Sequence, residues 1–402
     1  MNIATIFYQN LYRSTRKTTS PTPIRLNNND PVLPFIDAEI ELSIKKLTVD
    51  KCPGPDGITN DVLKAGCSLL NNPLTKLFNL ILQQKTIPNQ WTTSEIILIY
   101  KNGDAKQISN YRPISLISCI YKVFATTLLR RVTKIIDENQ SIEQAGFMKN
   151  YSTLDHIHTL KLVIEKYVEF TKPLYIVFID YSKAFDSLHH NSIWQSLNEE
   201  GNSDYIELIR IYETSRSRVR LESPGPFFKI ERGVKQGDPL SPKLFITVLE
   251  SIFRKLNWEN KGIKINGKYL SHLRFADDLV LLSEDPKELQ YMLESLNRES
   301  ETVGLEMNKG KTKVMTNKER VPITIKSTNI EYVKDYIYLG HLISFEFCTD
   351  KEIDRRIKST WNKYWAMKEI AEKTWARAAM DRKSWLLMEE AFTAKCGPYN
   401  KY

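Results

Sequence analysis

The chain has 402 residues, too long for one small module, and sets an expectation of two to three domains. With 42% hydrophobic and 26% charged residues it has enough apolar surface for a sizeable core, which excludes wholesale disorder. Fifty-seven Lys and Arg against 48 Asp and Glu give a net charge of +9, a balance that suits a polyanionic partner such as nucleic acid.

In chain order, residues 1–34 are polar and carry Ser20, Pro21, Pro23 and an Asn-rich run, a composition that reads as a linker. Helical spacing of apolar residues follows at 36–47 and is cut by Pro53, Gly54, Pro55 and Gly57, which predict a turn. Helical patterns cover 62–82 and 117–136, with a short β-rich run at 95–100 between them. The continuous apolar run 174–179 predicts a buried strand, followed by a helix near 187–197. A Gly/Pro loop at 233–242 leads into a helix over 243–256. Two strand-like runs, 270–275 and 279–282, have only Ala276, Asp277 and Asp278 between them and predict a tight hairpin. Residues 286–301 read as helix, 336–343 as a last β-rich patch around Gly340, and 351–385 as a basic, Trp-bearing helix. This irregular alternation points to an α+β fold.

No apolar run approaches the roughly 20 residues of a membrane span, and no signal-peptide pattern opens the chain. The five cysteines are odd in number and widely spaced, with no C-x-x-C pair, which argues for reduced thiols and an intracellular setting, nucleus or cytoplasm. P-loop, G-x-G-x-x-G and H-E-x-x-H patterns are missing.

The informative feature is acid where a buried strand ends. Asp180 follows the apolar run directly, and Asp277 and Asp278 sit at the hairpin tip. Two like charges about 4 Å apart repel by roughly 4 kcal/mol at an effective dielectric near 20. Such a cluster needs a cation or a bound proton. All-oxygen donors favour a hard cation, Mg²⁺ or Mn²⁺, and two ions roughly 4 Å apart suit phosphoryl transfer. Taken singly, Asp180 reads equally as a helix N-cap and Asp277-Asp278 as turn chemistry, so the pattern alone leaves both readings open.

Phe178 to Asp186 (FIDYSKAFD) resembles the first catalytic motif of reverse transcriptases from LINE-type non-LTR retrotransposons, and Phe275 to Asp278 (FADD) resembles their second. Arg232 to Pro242 (RGVKQGDPLSP) is similar to the motif between them. Lys51 to Gly57, Asn110 to Leu116, Gln144 to Ile157, Met307 to Thr312 and Tyr338 to Ser344 match further motifs in the family's order. The resemblance implies a right-hand polymerase fold: fingers and palm over 35–345, the palm an antiparallel sheet backed by helices, and a truncated helical thumb with a C-terminal tail over 346–402. It implies an RNA-directed DNA polymerase with an RNA template, a DNA primer, deoxynucleoside triphosphates and two Mg²⁺ or Mn²⁺ ions. Asp180, Asp277 and Asp278 are then the metal ligands and catalytic carboxylates, with Lys311 as proton donor to pyrophosphate and Lys309 its rival. Lys101 and Arg112 clamp the triphosphate, Tyr181, Gln236 and Gly237 touch the nucleotide, and Phe185 stands where a ribose 2′-hydroxyl would go. Asp238 is a neighbour, Leu339 and Gly340 grip the primer, and His156 is a packing residue.

The chain also departs from the family. An apurinic-type endonuclease usually precedes the polymerase, and residues 1–34 cannot hold one. Residues 7–12 resemble the joining segment, so strand nicking is expected to be absent. Residues 375–392 resemble the very end of such elements, which implies an internal deletion in the thumb and weakened template–primer grip. Two alternatives follow: a decayed copy that binds nucleic acid without catalysis, and an RNA-dependent RNA polymerase, against which Phe185 speaks.

Overall fold

The central sheet grows from a run with no charged residue. Tyr175–Ile179 is a strand with all five residues buried, since apolar side chains on both faces are satisfied only between two layers. In this computed structural model, which describes residues 2–14, 32–101, 103–201, 203–346 and 349–379, it is the middle of a five-stranded sheet. The order is Glu331–Tyr332, Lys313–Thr316, Tyr175–Ile179, Asp278–Ser283, His272–Phe275. Every pairing is antiparallel except that of Lys313–Thr316 with Glu331–Tyr332. Helix Pro286–Thr302 covers the sheet with Leu289, Met292, Leu293 and Leu296, a stripe at helical spacing, all buried. Helix Ser241–Lys255 packs behind it and against His190–Glu199. This is the antiparallel palm with helical backing that the sequence predicts, plus one parallel edge.

A second sheet runs in the order Tyr111–Leu116, Thr93–Tyr100, Arg216–Val219, Phe228–Lys229. Helices Asp37–Lys45, Cys67–Gln84 and Cys119–Glu138 pack beside it around Phe35, Phe78, Trp91 and Phe124. The contacting rings in this group have centroids 5.2 to 6.5 Å apart, within the range of favourable aromatic pairs. Glu95, buried on the second sheet, accepts from Arg218 and Arg220, so its charge is matched.

Three predicted elements differ in detail. The 62–82 helix is two, Asn60–Ala65 and Cys67–Gln84, with Gly66 as the C-cap of the first. The 187–197 helix is preceded by a separate turn of helix, Ala184–Ser187, and itself runs His190–Glu199. The larger correction concerns the predicted linker. Asn2–Tyr12 is a helix whose Ala4, Tyr8 and Tyr12 are buried against Ile96, Val219 and Phe228. The four-residue spacing of those three residues was the helical signal, outweighed by the polar stretch after it. Residues 15–31 lie outside the described residues.

The described residues fall into two units, one up to Lys334 and one from Asp335. The hairpin that carries Leu339 and Gly340 therefore belongs to the second unit rather than to the 35–345 block. Its strands, Asp335–Tyr338 and His341–Ser344, are joined by Leu339 at φ 48° and Gly340 at φ 79°, the two left-handed residues that a tight hairpin turn of matching twist requires. Helix Thr349–Ala379 packs on this hairpin through buried Glu352, which accepts from the Leu342 N–H at 3.1 Å and from Arg355 and Arg356. Ile353, Ile357, Trp361 and Trp365 on that helix are exposed. The segment resembling a terminal helix falls mostly past Ala379, outside the described residues. No described helix is long and apolar enough to cross a membrane.

Phe78 is fully buried at the centre of the ring cluster. Phe78→Ala should cost about 3–5 kcal/mol, read as a lower denaturation midpoint by circular dichroism.

Candidate active site

The register of the central sheet decides where the acids meet. Ile179 pairs with Leu279, and one step further along the antiparallel ladder Asp180 falls opposite Asp278. Backbones so paired lie about 5 Å apart. Phe275 pairs with Asp278 across a two-residue turn, Ala276-Asp277, with Ala276 at φ 57°. Ninety-odd residues of intervening chain thus end with three carboxylates on one sheet edge.

That edge is electrostatically strained. Although part of Asp278 reaches solvent, the surrounding protein strips enough water from its carboxyl to push it up to about 6, and the Asp277 and Asp180 charges add to the effect. Burial likewise raises Asp277, opposed by Arg112 and Lys101. Asp180 Oδ2 is buried without a hydrogen bond, and Lys311 Nζ stands 3.7 Å from it. Among the described residues no three acidic, His or Cys side chains are already closed around a common point as a ligand set. The donor chemistry nonetheless suits a hard dication: three carboxylates, with one buried acceptor left open.

A cleft of about 590 Å³ opens at this edge, between the two sheets. Its walls bring together Lys101, Arg112, Asp180, Tyr181, Phe185, Gln236, Gly237, Asp277 and Lys311. Asp278 is not part of the wall; it flanks it through the ladder. Lys101 directly follows the strand Thr93–Tyr100 and Arg112 lies on its neighbour Tyr111–Leu116, where Ile99 pairs with Arg112 and the Lys101 N–H donates to the Asn110 carbonyl. Phe185 is stacked on Phe245, with centroids 4.6 Å apart and planes 10° apart, and meets the edge of Phe147. The ring is therefore a stiff wall. Tyr181 is buried, and its hydroxyl shares a 2.6 Å hydrogen bond with Ser300 inside the fold. Gly237 has φ 111°, and a Cβ there would lie 2.9 Å from the Ser115 carbonyl oxygen. Glycine is required for that approach, which is to the neighbouring backbone. Lys309 is elsewhere, donating to Thr328 Oγ1 at 3.1 Å. Leu339 and Gly340 form the hairpin turn of the second unit.

Asp238 is buried and accepts from the Tyr121 and Tyr212 hydroxyls at 2.8 and 2.6 Å, a structural role. His156 meets Phe275 edge-on at 6.1 Å, and burial lowers it to about 4, so it is neutral at pH 7.

Two contributors carried no assigned role in the sequence reading. Gln144 Oε1 accepts from the Ala276 N–H at 3.1 Å and the Gly146 N–H at 2.8 Å. The Ala145 N–H donates to the Arg274 carbonyl, and the Arg274 N–H to the Glu143 carbonyl. Residues 143–146 so strap the outer edge of His272–Phe275 and hold the turn that carries Asp277. A Cβ on Gly146 would lie 2.2 Å from the Ala276 nitrogen. The second is Asp186, 2% exposed, which accepts from the Tyr12 hydroxyl at 2.9 Å and from Gln236 Nε2 at 3.3 Å. Both lie inside motifs that resemble the family's, which was the available signal.

Comparison with known proteins shows the family. Residues 99–343 match the model of the reverse transcriptase (RNA-dependent DNA polymerase) family. The chain belongs to that family. Its relatives place it with the non-LTR retrotransposon branch. It is 32% identical over 278 residues to the Pol polyprotein of the type-2 retrotransposable element R2DM of Drosophila melanogaster, covering 68% of this chain and 26% of that protein. It is 29% identical over 308 residues to the Pol polyprotein of the type-1 element R2 of Nasonia vitripennis, covering 71% and 29%. It is 29% identical over 267 residues to a probable RNA-directed DNA polymerase from transposon BS of Drosophila melanogaster, covering 65% and 29%. The chain thus spans 26 to 29% of the length of these relatives. An apo telomerase structure from Candida tropicalis is similar at TM-score 0.46 and 16% identity, over 71% of this chain and 59% of that one, too slight a likeness to carry weight.

Burial raises Asp186 from the ordinary 3.8 to about 6, against Tyr12, Gln236, Lys183 and Arg112, which stabilise its charge. A carboxyl raised in the folded state stabilises the fold below about 3.8 and loses that contribution as pH rises through about 6. Wild-type stability minus that of Asp186→Asn should therefore fall between pH 4 and 7, by on the order of 3 kcal/mol, measured by thermal unfolding across pH without divalent ions.

Proposed function

We propose that the chain is an RNA-directed DNA polymerase that adds deoxynucleotides to a primer 3′-end on an RNA template. One observation carries this reading: the ladder sets Asp180 against the Asp277-Asp278 turn at the edge of a cleft whose other side bears Lys101 and Arg112.

Asp180, Asp277 and Asp278 would hold two Mg²⁺ or Mn²⁺ ions, which would acidify the primer hydroxyl and neutralise phosphate charge. The residues of the chain supply the rest. Arg112, with its planar fork, and Lys101, a point charge, receive the triphosphate opposite the carboxylates. The primer 3′-oxygen bonds to the α-phosphorus as the bond from that phosphorus to the bridging oxygen breaks. The hydroxyl proton leaves to solvent, and Lys311, beside Asp180, gives a proton to the departing pyrophosphate. Phe185, braced by Phe245, selects against a 2′-hydroxyl by clash. The Gln236 and Gly237 segment is fixed by the Ser115 N–H, which donates to the Gln236 carbonyl at 2.8 Å, and so borders the base and sugar.

The test is extension of an oligo(dT)-primed RNA template with Mg²⁺ and either dNTPs or rNTPs. Extension with dNTPs, abolished in Asp277→Ala, is the expected result. Nucleic-acid binding with no extension by wild type would overturn it in favour of a decayed copy, and extension with rNTPs alone in favour of an RNA polymerase. Phe185→Ala should raise rNTP use relative to dNTP use by about ten-fold or more, read from kcat/KM for each.

A further inference from the structure

We infer that the N-terminal helix Asn2–Tyr12 is a working part of the nucleotide site, Tyr12 acting through Asp186 to position the Gln236 side chain. The inference rests on the polymerase reading and assigns a role to a segment outside the family match.

The helix is tied to the cleft and its surroundings at several points. Lys183 Nζ lies 4.2 Å from the centre of the Phe7 ring. Arg232 Nε donates to the Leu11 carbonyl at 2.7 Å, and the Glu231 N–H to the Tyr12 carbonyl at 3.0 Å. The Tyr8 hydroxyl donates to the Tyr111 carbonyl at 3.3 Å, next to Arg112. Tyr8 and Leu11 are themselves part of the cleft wall.

The chemistry lies in the chain of hydrogen bonds from Tyr12. Its hydroxyl donates to Asp186 Oδ1 at 2.9 Å, and Gln236 Nε2 is 3.3 Å from both Asp186 oxygens. A carboxylate only accepts, so it selects the NH₂ end of the Gln236 amide and turns the carbonyl end the other way. The Gln236 backbone is already held by Ser115, so the amide orientation is the freedom left for Asp186 to fix. Asp186 is itself locked: a Cβ at Gly233 would meet its backbone at 2.6–2.8 Å, and the Val234 N–H donates to the Phe185 carbonyl. A buried carboxylate whose direct hydrogen-bond partners are neutral is costly even with Lys183 and Arg112 offsetting part of its charge. Replacing it would be easy in a merely structural setting, whereas orienting an amide needs an acceptor. Tyr12 and Asp186 are positioning residues on this account, since neither need touch the nucleotide.

The experiment is a double-mutant cycle on primer extension with the full chain. Tyr12→Phe removes one oxygen and should raise the dNTP KM about three- to ten-fold, with kcat little changed. In a Gln236→Ala background the same change should add nothing, because the group it positions is gone. Additive effects, or a fall in kcat and melting temperature at constant KM, would overturn the inference. An inactive wild-type chain sinks the polymerase reading alone. The cycle is then read from equilibrium binding of dTTP to the primed-template complex: non-additive losses support the relay, and additive losses or no binding overturn it.

Discussion

Three carboxylates, one at the end of a buried strand and two on the hairpin turn beside it, are the constraint around which the molecule is arranged. The strand Tyr175–Ile179 is buried on both faces, so a slip that drew Asp180 into the strand would carry a carboxylate into the apolar layer at a heavy cost. The acids inherit that rigidity. Burial raises the Asp277 and Asp278 carboxyls and the charges of the neighbouring acids add to it, and it is the sheet, not any attraction between the groups, that keeps them adjacent. Arg112 and Lys101 offset part of the charge from across the cleft.

Rigid placement also depends on parts that carry no chemistry. The strap at 143–146 closes the exposed edge of His272–Phe275 and gives the Asp277 turn a second set of hydrogen bonds. The loop after Arg232 is fastened to Ala184–Ser187 by backbone bonds from Gly233 to Leu188 and from Val234 to Phe185. Glycines at 146, 233 and 237 occur where another backbone comes so near that no side chain fits. These close approaches explain why small residues recur around the cleft without invoking a ligand.

Much of this was legible in the sequence. Residues 174–179 announce a buried strand by their unbroken apolar run, and the hairpin at 270–282 by its spacing, but the meeting of Asp180 with Asp277 and Asp278 was implied by the family resemblance and not by these local signals. Other elements had none. Lys313–Thr316 has only Val314 and Met315 as apolar members, and its place beside the central strand is decided by pairing with residues far earlier in the chain. Arg216–Val219 carries two arginines and joins its sheet in parallel to Thr93–Tyr100. Tyr12 and Asp186 lie 174 positions apart, and Asp186 and Gln236 50 apart. No periodicity reports a hydrogen bond across such distances. Composition misled outright at the N-terminus, where eleven helical residues preceded a polar stretch and took on its character.

The family match begins at Ile99, but the folded unit does not. Residue 99 lies within the strand Thr93–Tyr100, and Phe35 and the helix holding Phe78 come earlier and share the core with Phe124. A fragment excised at the match boundary would lose six of the eight residues of this interior strand and uncover Trp91's partners Phe124 and Tyr121, a recipe for insoluble material. Expression fragments of this protein are better bounded by its aromatic packing than by the extent of its recognisable motifs, and an affinity tag fused close to Asn2 sits within one short helix of the cleft that Tyr8 and Leu11 line.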